Sequence, residues 1–114
     1  MSDCLFCRIV EGAIPAKKVH EDALCVGFAD INPQAPHHAL FIPRRHIATL
    51  NEATAEDREL LGHLMVTAAK YAREQGFGDT GYRLVMNTNS HGGQTVFHVH
   101  LHLLGGRAMA WPPG

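Results

Sequence analysis

Apolar and polar positions recur with two different periods along the chain. At 24–29 they alternate, and Leu24, Val26 and Phe28 fall on one side of a half-buried strand. Residues 39–43 form a second apolar strand, with His38 at its entry and Pro43 limiting its extent. Residues 82–87 predict a third, and 96–104 a fourth in which alternation is strict. A short edge strand at 17–20 precedes them. The period changes after Thr54-Ala55-Glu56-Asp57, a hydroxyl cap with acids in the first turn. Leu60, Leu61, Leu64, Met65, Ala68 and Ala72 then recur at helical spacing up to Gln75, and Gly76 stops the run. A shorter helix is expected at 4–10, with Leu5, Phe6, Ile9 and Val10 sharing a face and Gly12 ending it. Antiparallel strands with helices set apart from them define an α+β fold, as one domain over 1–114.

Composition narrows the class. A chain of 114 residues can bury a core without disulfide staples. A net charge of −1 gives no reason to expect nucleic acid or a membrane surface as partner. No apolar run approaches the roughly 20 residues of a membrane span. The opening Met1-Ser2-Asp3-Cys4 lacks the regions of a secretory signal, and three cysteines, an odd count, favour a reducing cytoplasm.

The candidate chemistry lies in the last strand. His98, His100 and His102 would line one face of it, with Val99, Leu101 and Leu103 on the other. Just upstream, Gly92-Gly93-Gln94-Thr95 lets backbone N–H groups approach an anion, because glycine has no Cβ in the way. Imidazoles beside such a loop point to phosphate chemistry. A metal site is the rival, since His-x-His on a strand also presents two zinc ligands. Cys4-Leu5-Phe6-Cys7 has the gap that lets two thiolates reach one metal, and redox and plain-core readings fit it as well.

The run His98-Val99-His100-Leu101-His102-Leu103-Leu104 resembles the signature of the histidine triad (HIT) nucleotide-binding proteins. Asp30-Ile31-Asn32-Pro33-Gln34-Ala35-Pro36-His37-His38, Ile42-Pro43, Gly92-Gly93-Gln94 and the ending Gly105-Gly106-Arg107 with Trp111-Pro112-Pro113-Gly114 are similar to the branch that hydrolyses purine nucleoside phosphoramidates. That resemblance implies a five-stranded antiparallel sheet with one long and one short helix, extended across a homodimer that the tail at 105–114 helps to join. It implies an enzyme that releases AMP or GMP from phosphoramidates and AMP-acyl anhydrides through a nucleotidylated histidine. A dimeric nucleotide-binding adaptor and a dinucleoside polyphosphate hydrolase are the alternatives.

Residue by residue, the resemblance makes His100 the nucleophile and His102 a phosphate contact that also protonates the leaving amine. It makes His38 a support for the nucleophile, and His98 the first member of the triad. Asn87, Gly93, Gln94 and Thr95 would hold the phosphate, with Thr where the branch commonly has Ser. Asp30 would grip the ribose hydroxyls, although an Asx turn at a strand end also explains it. Leu5, Phe6, Ile9, Ile14, Phe28 and Ile31 would form the apolar slot for the purine. No cofactor is needed for catalysis on this reading. In metal-bearing relatives the positions of Cys4, Cys7, His46 and His98 hold a structural zinc, whereas the phosphoramidase branch commonly lacks the cysteines, so zinc stays open.

Overall fold

The computed structural model describes residues 3–114. Helix α1 (Leu5–Val10) leads into strands β1 (Lys18–Glu21), β2 (Cys25–Ala29) and β3 (His37–Pro43). The long helix α2 (Arg58–Glu74) follows, then β4 (Tyr82–Val85), one helical turn α3 (Asn89–Gly92), and β5 (Leu101–Gly105). The strands form one five-stranded sheet in the order β1-β2-β3-β5-β4, and every neighbouring pair is antiparallel. The α+β architecture expected from the sequence is therefore the one observed. Among the described residues no helix is long and apolar enough to cross a membrane.

Strand alternation gives the sheet two unlike faces. Cys25, Ala39, Phe41, Leu101 and Leu103 pack on one side against Leu64, Ala68 and Ala72 of α2 and against Phe77. Val26, Phe28, Leu40 and Ile42 face the other way and meet Phe6 and Ile9 of α1. Burying apolar side chains of this size contributes about 1.5–3 kcal/mol each. One face thus carries the long helix, and the other carries a thinner cover with room beside it.

Three expectations need correction. Residues 96–104 are not one strand, since β5 starts at Leu101. The ladder with β3 stops at the Phe41–Leu101 pair, two residues before β3 itself ends at Pro43. Val99 instead donates its N–H to the carbonyl of Ile47 at 2.8 Å. His98 and His100 therefore stand outside the sheet, His98 in a bend just before it. Met65 is 52% exposed on the outer side of α2, and Thr67 takes the buried position. Finally, Thr54 caps a 3-10 turn (Ala55–Asp57) rather than α2 itself, through a capping box in which its N–H donates to Asp57 Oδ2 at 2.8 Å.

Candidate active site

His100 is buried, and its Nδ1 lies 2.8 Å from the main-chain oxygen of His98. A carbonyl only accepts, so Nδ1 carries the proton and Nε2 keeps its lone pair. The ring of Phe6 stands edge-on to this imidazole, 5.1 Å between centroids. A neutral ring fixed in this tautomer has the form required of a nitrogen nucleophile.

The tautomer of His102 follows from the same reasoning, one residue further out. Gln34 donates its N–H to His38 Nδ1 at 3.0 Å, which puts the His38 proton on Nε2. That nitrogen lies 2.9 Å from His102 Nδ1 and donates to it, so His102 holds its own proton on Nε2. Asp30 Oδ2 is 3.4 Å from the same His38 nitrogen. His38 thus supports His102, not the nucleophile His100 as the resemblance implied. Burial, and then the neighbouring His100 and His38 rings, push the His102 imidazole down to about 4. Burial also lowers His38, against the opposing charge of Asp30.

This depression has a consequence for stability. An unfolded imidazole titrates near roughly 6.5. As pH falls from there toward about 4, the unfolded chain takes up a proton that folded His102 refuses. Stability is expected to decline across that window. His102→Asn should flatten the decline of the unfolding midpoint with acid, and an unchanged slope would remove His102 from this account.

Beside the two rings opens a cavity of about 380 Å³, large enough for a small ligand. Leu5, Phe6, Ile9, Ile14, Phe28 and Ile31, the apolar residues expected to form a slot, all line it. Ile31 sits fully exposed at its rim. Asp30, Thr95, His100 and His102 supply the polar end. Leu40 and Val96 also line the cavity and were not singled out from the sequence. For Leu40 the alternation of β3 was the available signal. Asp30 Oδ1 accepts from the N–H of Asn32 at 2.8 Å, so one carboxylate oxygen does form an Asx turn. The other lies 3.4 Å from His38 Nε2.

The glycine-rich loop differs from expectation. Residues 89–92 wind into α3, which Gly93 ends at φ +81°. The Gly93 N–H goes to Ser90 O at 3.1 Å and the Gln94 N–H to Asn89 O at 3.0 Å. Gln94 is buried and does not reach the cavity. Its amide nitrogen donates to Ala48 O and Val96 O, and its oxygen accepts from Asn89 N. Asn-Ser-His-Gly is too short to show a helical period, which is why the turn escaped the sequence reading. Gly93 and Gln94 thus shape the loop, leaving Thr95 to present donors at the cavity, while Asn87 backs the loop at Gly92. Gln94→Leu strands three backbone groups, at about 1–3 kcal/mol for each one left unsatisfied. It should raise KM for nucleotides about tenfold or more while the unfolding transition stays cooperative, and an unchanged KM would show that the Gln94 bonds do not hold the loop for binding.

His98 turns away from the cavity. Its ring is fully buried, and Nε2 donates to Pro43 O at 2.8 Å. The lone pair on Nδ1 therefore faces Cys4 Sγ at 3.4 Å, Cys7 Sγ at 3.5 Å and His46 Nδ1 at 3.3 Å. Cys7 Sγ and His46 Nδ1 are also 3.3 Å apart. Zinc bonds of about 2.3 Å to sulfur and 2.0–2.1 Å to nitrogen place tetrahedral ligands about 3.3–3.8 Å from one another. The four side chains fit that geometry. Burial lowers the affinity of His98 for a proton, which keeps its lone pair available.

A buried imidazole oriented by a main-chain carbonyl, a second imidazole offering N–H and an apolar slot ending at both rings make a site whose histidines can act on a bound ligand. The comparisons agree. The family described as scavenger mRNA decapping enzyme C-term binding matches residues 3–110. The purine nucleoside phosphoramidase of Escherichia coli (strain K12) is 48% identical over 94% of this chain and 90% of its own. A HIT family hydrolase from Legionella pneumophila is 55% identical with a TM-score of 0.96, covering 98% of this chain and 100% of that one. A zinc-bound histidine triad family protein from Mycobacterium smegmatis is 34% identical with a TM-score of 0.80, over 92% of this chain and 76% of that one. The chain belongs to the histidine triad (HIT) family of hydrolases.

Proposed function

We propose that this protein hydrolyses purine nucleoside phosphoramidates, and mixed anhydrides of AMP with acyl groups, to AMP or GMP. The carrying observation is the tautomer of His100, protonated toward His98 O and bare at Nε2 at the polar end of the slot. Nε2 attacks phosphorus, and the P–N bond to the amine breaks as the leaving nitrogen is protonated through the Nε2–H of His102. Water then attacks the nucleotidylated His100, the proton it loses returns to His102 Nε2, and the nucleotide departs as the imidazole of His100 is freed. Two easier steps replace one difficult one. Thr95 donates to the non-bridging oxygens where charge develops, Asp30 accepts from the ribose hydroxyls, and the apolar walls sandwich the base.

The same reading assigns structural zinc to Cys4, Cys7, His46 and His98, supported by their spacing. It makes the protein a cytoplasmic homodimer that needs no cofactor for the chemical step. Support for the dimer comes from β4, whose outer edge ends the sheet. The tail lies near that strand: Arg83 donates to Ala110 O at 2.9 Å and its guanidinium stands 6.0 Å over the Trp111 ring.

The discriminating experiment offers an adenosine 5′-phosphoramidate and an adenylated dinucleotide separately and compares AMP release. Turnover is expected on the phosphoramidate and to be much slower on the dinucleotide. Turnover on the dinucleotide alone would place the protein among polyphosphate hydrolases, and binding of AMP without turnover of either would make it an adaptor.

A further inference from the structure

On the face of the sheet opposite the active site, two histidines and an aspartate converge without any part in the chemistry above. Asp22, in the turn after β1, has its Oδ1 fixed by the N–H groups of Leu24 at 2.7 Å and Cys25 at 2.8 Å. Its Oδ2 lies 2.6 Å from His20 Nε2 and 2.7 Å from His63 Nε2. The thiol of Cys25 reaches the same oxygen at 3.5 Å. His20 comes from β1, where the register shifts between Lys18 and His20, an irregularity of the kind that re-aims a side chain. His63 comes from the middle of α2. One carboxylate oxygen therefore bridges two imidazole nitrogens, one from β1 and one from α2.

We propose that His20, Asp22 and His63 form a second divalent-cation site, of the zinc type, separate from the cysteine-containing quartet. Two imidazoles and a carboxylate are a borderline-soft set that suits zinc and leaves one position open. The carboxylate is already held by two backbone donors, as ligating carboxylates are. The rings and Asp22 are each about one-third exposed and border an open cavity of about 270 Å³, which gives an ion a path in. Lys70 and Glu74 line that cavity and offset one another in charge.

Protons now fill the gaps that metal would take. With metal–ligand bonds of about 2.0–2.2 Å at tetrahedral angles, nitrogen and oxygen stand about 3.3 Å apart, so each ring would retreat by roughly 0.6 Å. Each imidazole moves its proton from Nε2 to Nδ1, and neither releases one. Cys25 remains a protonated donor to Asp22, and water completes the shell. An ion here would tie α2 to the β1–β2 turn.

Cobalt(II) reports the two sites separately, because only a thiolate ligand gives sulfur-to-cobalt charge transfer. Metal-free protein titrated with cobalt is expected to show two populations, one with that transition and one with imidazole–carboxylate d–d bands alone. His63→Gln and His20→Gln should each abolish the second population and leave the first. Cys4→Ser with Cys7→Ser should do the reverse, so failure of the quartet and failure of this site are told apart. The proposal is overturned if all bound cobalt shows the thiolate transition. It is equally overturned if the thiolate-free bands persist in both glutamine variants.

Discussion

His100→Ala is expected to lower phosphoramidate turnover by on the order of 10⁴-fold or more, the scale seen when a catalytic nucleophile is removed. AMP should bind with little change, since Asp30, Thr95 and the apolar walls do not depend on that ring. His102→Ala should cost less, about 10²–10⁴-fold, because it removes a proton donor and a phosphate contact but leaves the covalent step available. Quenching wild-type protein during a single turnover of labelled substrate should trap nucleotide on His100. If no adduct forms and strong chelation abolishes turnover, the covalent reading is wrong and a metal-based one takes its place. The acid limb of kcat/KM is a further check. His102 stays neutral down to about pH 4, so a loss of rate above that reports protonation of another group. Replacing His102 should leave that limb where it is.

The second large effect falls on stability. Cys4→Ser with Cys7→Ser, or removal of zinc by a strong chelator, is expected to lower the unfolding midpoint by more than about 10 °C. Structural zinc contributes on the order of 10 kcal/mol in small peptides. A third of that, at about 4 °C per kcal/mol for a domain near this size, already exceeds the threshold. Elemental analysis should find about one tightly held zinc per chain, lost in the double variant. Protein that carries no zinc, with both thiols titratable, would return Cys4 and Cys7 to the status of core residues. Well below the midpoint, turnover should survive mild chelation.

Strand alternation and the helical stripe made most of this architecture legible, because both record which side of an element meets the core. The slot was legible for a related reason: its six apolar residues were named from the resemblance, and all line one cavity. Local pattern misled where a long-range partner decides the outcome. His98 to Leu104 alternates as a strand should, yet the ladder with β3 stops at Leu101, and the N–H of Val99 goes to Ile47 instead. Gln94 sits in a loop that reads as phosphate-binding, and only the fold shows its amide spent on Ala48, Asn89 and Val96. Asp22 in a turn and His63 on α2 are brought together by the fold alone. Nothing in the intervening 40 residues indicates that they meet.

The contact between His100 Nδ1 and the oxygen of His98 has one more consequence. In many histidine-dependent enzymes the orienting partner is a carboxylate, which itself gains a proton in acid and then lets the ring turn. An amide carbonyl has no charge to lose. The orientation of the His100 ring in this protein therefore does not depend on the ionisation of its partner. Because the partner is main chain, it is also out of reach of side-chain substitution: exchanging residue 98 removes one side chain of the quartet but not the acceptor that orients His100.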